Sequence, residues 1–168
     1  GAFLALCLLI ATIPVIIIGL ILKVTGLSDA MRGIAVIGWA IIIFGIVLFW
    51  ADQKGPTTRT AEGWTLKHAM TMGLWQAIAL IPGTSRSGIT ITAGRMLGYT
   101  RSDAARLSML MSIPTIIASA ALLGLDVIGT ADASALRDIG IVMAMSFVAA
   151  LFALTLMMRL LKSVSYTP

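Results

Sequence analysis

The residues of this chain whose types and spacing suit chemistry form one run, Ile81-Pro82-Gly83-Thr84-Ser85-Arg86-Ser87-Gly88. Arg86 is the sole charged side chain between Ala69 and Gly94. At bilayer depth an arginine costs at least ~2.5 kcal/mol, and it is found facing a wet cavity or a partner. An anion such as phosphate needs donors that converge without bulk in the way. Gly83 and Gly88 let backbone approach closely, and Thr84, Ser85 and Ser87 supply hydroxyls. A helix opening near Ser87 would add free N–H groups and the positive end of its dipole. Arg86 adds a fixed charge on a planar fork that matches phosphate oxygens. The competing reading is a plain helix break with Arg86 tied to a buried acid or carbonyl. In a soluble protein that reading would win; at membrane depth the anion site is favoured.

The rest of the chain reads as membrane. Of its 168 residues 59% are hydrophobic and 11% charged, where a soluble domain carries roughly 25% charged residues. Mean hydropathy is +1.03. The apolar runs are too long, and alternate too little, for an outer-membrane barrel. At about 20 residues per spanning helix the chain forms an all-α, polytopic domain over residues 1–168. The net charge of +5 comes from basic residues scattered singly through short loops, a positive-inside pattern with no patch for nucleic acid. The lone Cys7 lies in an apolar run and excludes an intrachain disulfide; its expected role is that of a small buried residue. Gly1 opens inside an apolar stretch and Pro168 ends where another segment could begin, so the chain is expected to be part of a longer protein.

Four spanning helices are expected, over about Ala2–Leu22 with a kink at Pro14, Gly33–Trp50, Ala104–Leu125 containing Pro114, and Leu136–Leu161. Ser28-Asp29 is expected to cap the second. The polar stretch Asp52–Lys67 reads as a loop, with Trp50 and Trp64 as interfacial rings. His68 reads as an interface or packing residue. The segment Leu66–Tyr99 is a poor single span, because Pro82-Gly83 breaks it midway. It works as a re-entrant helix–loop–helix, Leu66–Ile81 followed by Ser87–Leu97, whose non-helical tip must be covered by protein or line a wet cavity.

Charge counting favours re-entry. With both ends of Leu66–Tyr99 on one side, that side holds Lys54, Arg59, Lys67, Arg95, Arg101, Arg106, Arg159 and Lys162, against Lys23, Arg32 and Arg137 opposite, with Asp29, Asp126, Asp132 and Asp138. A single crossing would split them four against seven and put Lys54, Arg59 and Lys67 on the wrong face. The positive-inside rule therefore places both ends in the cytoplasm and the tip toward the outer side.

The run from Gly73 to Gly88, with its Pro-Gly-Xaa-Ser-Arg-Ser-Gly core, resembles the undecaprenyl pyrophosphate phosphatase, or bacitracin-resistance, family. The likeness extends through the hydropathy of the whole chain, which is similar to the C-terminal two-thirds of a member. It implies half of an inverted-repeat architecture in the bacterial inner membrane, with an active site opening to the periplasmic side. It implies hydrolysis of undecaprenyl diphosphate, recycling a lipid carrier for cell-wall synthesis and conferring bacitracin resistance. On that resemblance Arg86 and Ser85 are the catalytic residues, and Gly83, Thr84, Ser87, Gly88 and Gln76 bind the substrate phosphate. Gln76 echoes the acidic motif of the other half but cannot act as a base. The family's glutamate-rich motif and catalytic histidine are not matched here; the only glutamate is Glu62. A divalent cation, Mg²⁺, is implied, with ligands expected from that other half and none assigned in this chain. This segment alone is expected to be inactive. A polyprenyl diphosphate lipid and membrane lipids are the implied partners, and a homodimer is compatible with them. The rival reading is a polyprenyl-phosphate flippase that binds the headgroup without cleaving it; a third is a non-catalytic membrane scaffold.

Overall fold

The computed structural model describes residues 2–27, 31–130 and 133–163. Among them are six α-helices: α1 (Ala2–Thr25), α2 (Ile34–Lys54), α3 (Leu66–Ile78), α4 (Arg86–Met96), α5 (Arg101–Thr130) and α6 (Ala133–Ser163). A single 3₁₀ turn, Ala61–Gly63, lies between α2 and α3. No strand occurs among the described residues. Helices are what apolar sequence must form where no water can satisfy the backbone. Four segments are long and apolar enough to cross a membrane: Ala2–Thr25, Ile34–Lys54, Arg101–Leu125 and Ser134–Leu156. These match the four expected spans, and all run past the sequence estimates at one end or more. The chain is thus a multi-pass membrane protein of all-α class. The expected Ser28-Asp29 cap lies outside the described residues, as does Asp132. Pro14 and Pro114 both sit inside their helices.

Contacts divide the chain into two units, residues 1–120 and 121–168. In the first, α3 and α4 fold back on each other as a hairpin between α1, α2 and the first part of α5. The hairpin is closed at its open end. His68 in the first turn of α3 bonds through Nδ1 to the Tyr99 hydroxyl just past α4, at 2.6 Å. Its Nε2 accepts from Arg59, at 2.7 Å. The backbone of 58–59 also clasps this end, Thr58 and Arg59 N–H donating to Gly98 O at 3.1 and 2.9 Å.

Small residues let the helices approach. A Cβ on Gly73 would stand 2.3 Å from Ala11 O on α1, and one on Gly94 would stand 2.9 Å from Ala104 Cβ on α5. Close backbone approach through small residues is how helices associate where lipid removes the hydrophobic driving force. Polar pairs add to it: Gln76 Nε2 donates to Thr115 Oγ1 at 2.7 Å, and Thr90 and Ser108 share a hydrogen bond of 2.6 Å. Around them packs a core that includes Cys7, Met72, Leu107 and Met111, all fully buried. Trp64, expected at the membrane interface, belongs to this core with 3% exposure. The 3₁₀ turn folds its ring inward. The second unit holds the end of α5 and α6, and the described side chains of α6 are almost all exposed, as suits an apolar helix facing lipid or protein.

Candidate anion-binding site at the hairpin tip

The tip is built by a tight turn and a helix cap. Past α3 the backbone tightens to i→i+3 bonds, Leu80 N to Ala77 O and Ile81 N to Ile78 O, at 3.1 and 3.0 Å. Ile81-Pro82-Gly83-Thr84 then closes a β-turn, with Thr84 N donating to Ile81 O at 3.1 Å. Pro82 presets the second position, and Gly83, at φ 92°, supplies the positive φ that a type II turn demands at the third. A side chain there would also strike backbone, since a Cβ on Gly83 would lie 2.6 Å from Ile37 O on α2.

Ser85 follows as the N-cap of α4, its Oγ accepting from Gly88 N–H at 3.2 Å. Arg86 is therefore the first helical residue and Ser87 the second, one residue earlier than the sequence suggested. The cap uses the N–H of Gly88 and leaves those of Arg86 and Ser87 without an intrahelical acceptor. Ser87 Oγ lies 3.3 Å from Ser85 Oγ, so two hydroxyls and two N–H groups converge at the helix start. Gly83, Ser85 and Ser87 are exposed, and Arg86 and Gly88 half-buried. The Thr90 hydroxyl donates to the Arg86 carbonyl at 2.9 Å, but no hydrogen bond or ion pair to the Arg86 guanidinium occurs among the described residues. The expected competitor, Arg86 tied to a buried acid or carbonyl, is absent there.

Of the other residues expected at the site, Thr84 is adjacent and 8% exposed, with its Oγ1 buried and unbonded. Gln76 lies on α3, before the turn. It is buried at 1% exposure and its amide N–H₂ is committed to Thr115 rather than to any loop residue. Its Oε1 has no partner.

The hairpin reaches far along α2. Arg95 near its open end bonds to Asp52, while Gly83 at its tip abuts Ile37. That stretch of α2 is ~22 Å long at 1.5 Å per residue, most of a hydrocarbon core of ~30 Å. At the open end lies what the sequence did not reveal. Arg95 is 2% exposed and donates to Asp52 Oδ1, Asp52 O, Gly55 O, Pro56 O and Tyr99 O at 2.7–3.4 Å. Arg101 grips the same Asp52 carboxylate through Nε and Nη2 at 2.8 and 2.7 Å. The only hint was Arg95 at the end of an otherwise small and apolar run. Beside this network, burial and the charges of Arg59 and Lys67 hold His68 below the usual histidine range, and burial pushes Tyr99 up.

Comparison with known proteins bears on the whole chain. Proteins named undecaprenyl-diphosphatase from Dinoroseobacter shibae and Roseobacter denitrificans are 67% and 68% identical to it over all 168 residues. One of the same name from Maricaulis maris is 42% identical over 171 aligned residues. The chain spans 63–64% of the length of these relatives. The family model described as bacitracin resistance protein BacA matches residues 1–168, and with that match, carried by a chain whose Pro-Gly-Thr-Ser-Arg-Ser-Gly run forms the tip of a closed helical hairpin, the protein belongs to the BacA family.

Proposed function

We propose that the protein containing this chain hydrolyses undecaprenyl diphosphate to undecaprenyl phosphate and inorganic phosphate, and that the hairpin tip holds the diphosphate. The observation that carries this reading is the unpaired guanidinium of Arg86 in the first turn of α4, beside two free backbone N–H groups and two serine hydroxyls. A cation at a helix N-terminus opposes the helix dipole, at a cost of ~0.3–1 kcal/mol. A bound anion reverses the sign of that interaction and pairs with every donor present. The relatives' printed name supplies the substrate.

Arg86 would hold two non-bridging oxygens of the terminal phosphoryl group and stabilise the charge that develops there. Water attacks the terminal phosphorus, and the bond to the bridging oxygen breaks toward the lipid monophosphate. Ser85, whose Oγ accepts from Gly88, keeps its own hydroxyl proton to donate to the phosphate. The groups that activate water come from outside this chain. Among the described residues no three His, Cys, Asp or Glu side chains gather to hold a metal ion. The tip offers hydroxyls and a guanidinium, which do not fit Mg²⁺, so no step here runs through a cation; the carboxylate ligands of one would lie outside this chain.

The hairpin, in this reading, enters and leaves the bacterial inner membrane on the cytoplasmic side, with its tip toward the periplasm. The closure of His68 on Tyr99 supports that arrangement, as does the basic bias of the flanking loops. A headgroup flippase draws no support from the relatives' names. The test is phosphate release from undecaprenyl diphosphate by the full-length protein, with Arg86→Lys alongside. Release by the wild type and its near loss in the variant support the reading; headgroup translocation without release would replace it.

A further inference from the structure

A lipid-linked diphosphate needs more than an anion cradle, because its tail must leave the cradle into hydrocarbon without crossing polar surface. Beside the tip lies a groove of about 260 Å³, lined by Ile41, Phe44, Gly45 and Leu48 of α2 and by Gly83, Ser85, Gly88 and Ile89 of the hairpin. Three of these residues, Gly83, Ser85 and Gly88, also build the cradle. The α2 wall is otherwise apolar and opens outward, with Ile41 57% exposed. The groove therefore runs from the anion donors to an exposed apolar face of α2, a helix long and apolar enough to cross a membrane. Resting on the phosphatase reading, we propose that it is the subsite for the first isoprene units of the substrate, and that Gly45 sets its width. The occupant follows from continuity: an apolar path that starts at Ser85 and opens on an exposed apolar helix face suits a prenyl tail joined to a bound diphosphate.

Gly45 gives a clean test, because a Cβ placed there meets nothing within 4 Å. A larger side chain would fill the groove without disturbing the fold. Gly38, on the same helix and equally open, does not line the groove and serves as the control. In the full-length protein, Gly45→Leu is expected to raise KM for undecaprenyl diphosphate about tenfold, the scale of losing part of one buried aliphatic contact. Hydrolysis of dimethylallyl diphosphate, which has a single isoprene unit, should change far less, and Gly38→Leu should match the wild type on both substrates. A polyprenyl phosphate carrying a photoreactive group near its head should crosslink to residues 41–48 in the wild type and lose that crosslink in Gly45→Leu. Unchanged KM for the long substrate, equal losses on both substrates, or the same effect from Gly38→Leu would overturn the tail subsite. Crosslinking that behaves as expected in a protein that hydrolyses neither substrate would leave the groove standing and sink the phosphatase reading instead.

Discussion

Arg86 and Arg95 stand at opposite ends of one short helix, α4, in opposite circumstances. Arg95, in the last turn, sits where a cation favours the helix dipole and is 2% exposed. A carboxylate oxygen and four backbone carbonyls surround it. Arg86, in the first turn, sits where the dipole opposes it, its guanidinium with no partner among the described residues. One end is a completed structural joint tying the hairpin to the end of α2. The other is a set of donors with no side-chain acceptor among the described residues, the set proposed above to hold the diphosphate. The same residue type thus completes a structural joint at one end and, in the reading proposed, awaits a ligand at the other, according to whether its hydrogen bonds are already made.

The comparison breaks most visibly through Arg95. Arg95→Met should destabilise the protein by about 3–5 kcal/mol, since it leaves four backbone carbonyls of a buried joint without their donor and Asp52 held by Arg101 alone. Thermal unfolding in detergent would check this, and a small loss would mean that Arg101 alone suffices to hold Asp52. Arg86→Lys should act on the opposite quantity. It should lower kcat of the full-length protein by ~10²–10³ because lysine keeps the charge and loses the planar fork. The melting temperature should not fall.

Gly83→Val lies between the two. Its φ of 92° and the 2.6 Å approach to Ile37 O should distort the turn and abolish turnover while the closed open end of the hairpin survives. Wild-type turnover in that variant would mean that the turn does not shape the cradle. Smaller still, Arg86→Gln should stabilise the anion-free protein by ~0.3–1 kcal/mol by removing a cation from the positive end of α4; destabilisation would reveal a structural partner for Arg86.

The smallest effect concerns pH. His68 is held below the usual histidine range in the fold, so the unfolded chain binds its proton first as pH falls. Its contribution to stability is present above the unfolded pKa of ~6.5 and is lost as pH falls toward the lower, folded value. His68→Gln should flatten that acid-side decline in thermal stability; an unchanged profile would assign the decline to another group.

Much of this was legible from residue order. Pro82-Gly83 predicted the break, and the turn has the geometry that pair favours. A helix was expected to open near Ser87, and Ser85 caps one that opens at Arg86. The misread positions share a cause. Trp64 looked interfacial because a tryptophan in a polar stretch usually is, yet the 3₁₀ turn folds it into the core. Gln76 looked like a phosphate ligand because it echoes the acidic motif of the family's other half; in the fold its amide N–H₂ donates to Thr115, a pairing that residue order does not reveal.

The sequence by itself determined that this chain is helical and multi-pass, and that its glycine-bounded Ser-Arg-Ser run stands apart from every other segment. Those conclusions need only composition, local turn chemistry and the cost of charge in hydrocarbon. Tertiary structure alone decided which arginine is spent and which is free. That depends on whether carbonyls more than thirty positions away, at Asp52, Gly55 and Pro56, are carried to within hydrogen-bonding distance of Arg95. Long-range pairing of this kind leaves no periodicity in the chain, because it is fixed by how α2 packs along the hairpin and not by any local pattern of residues.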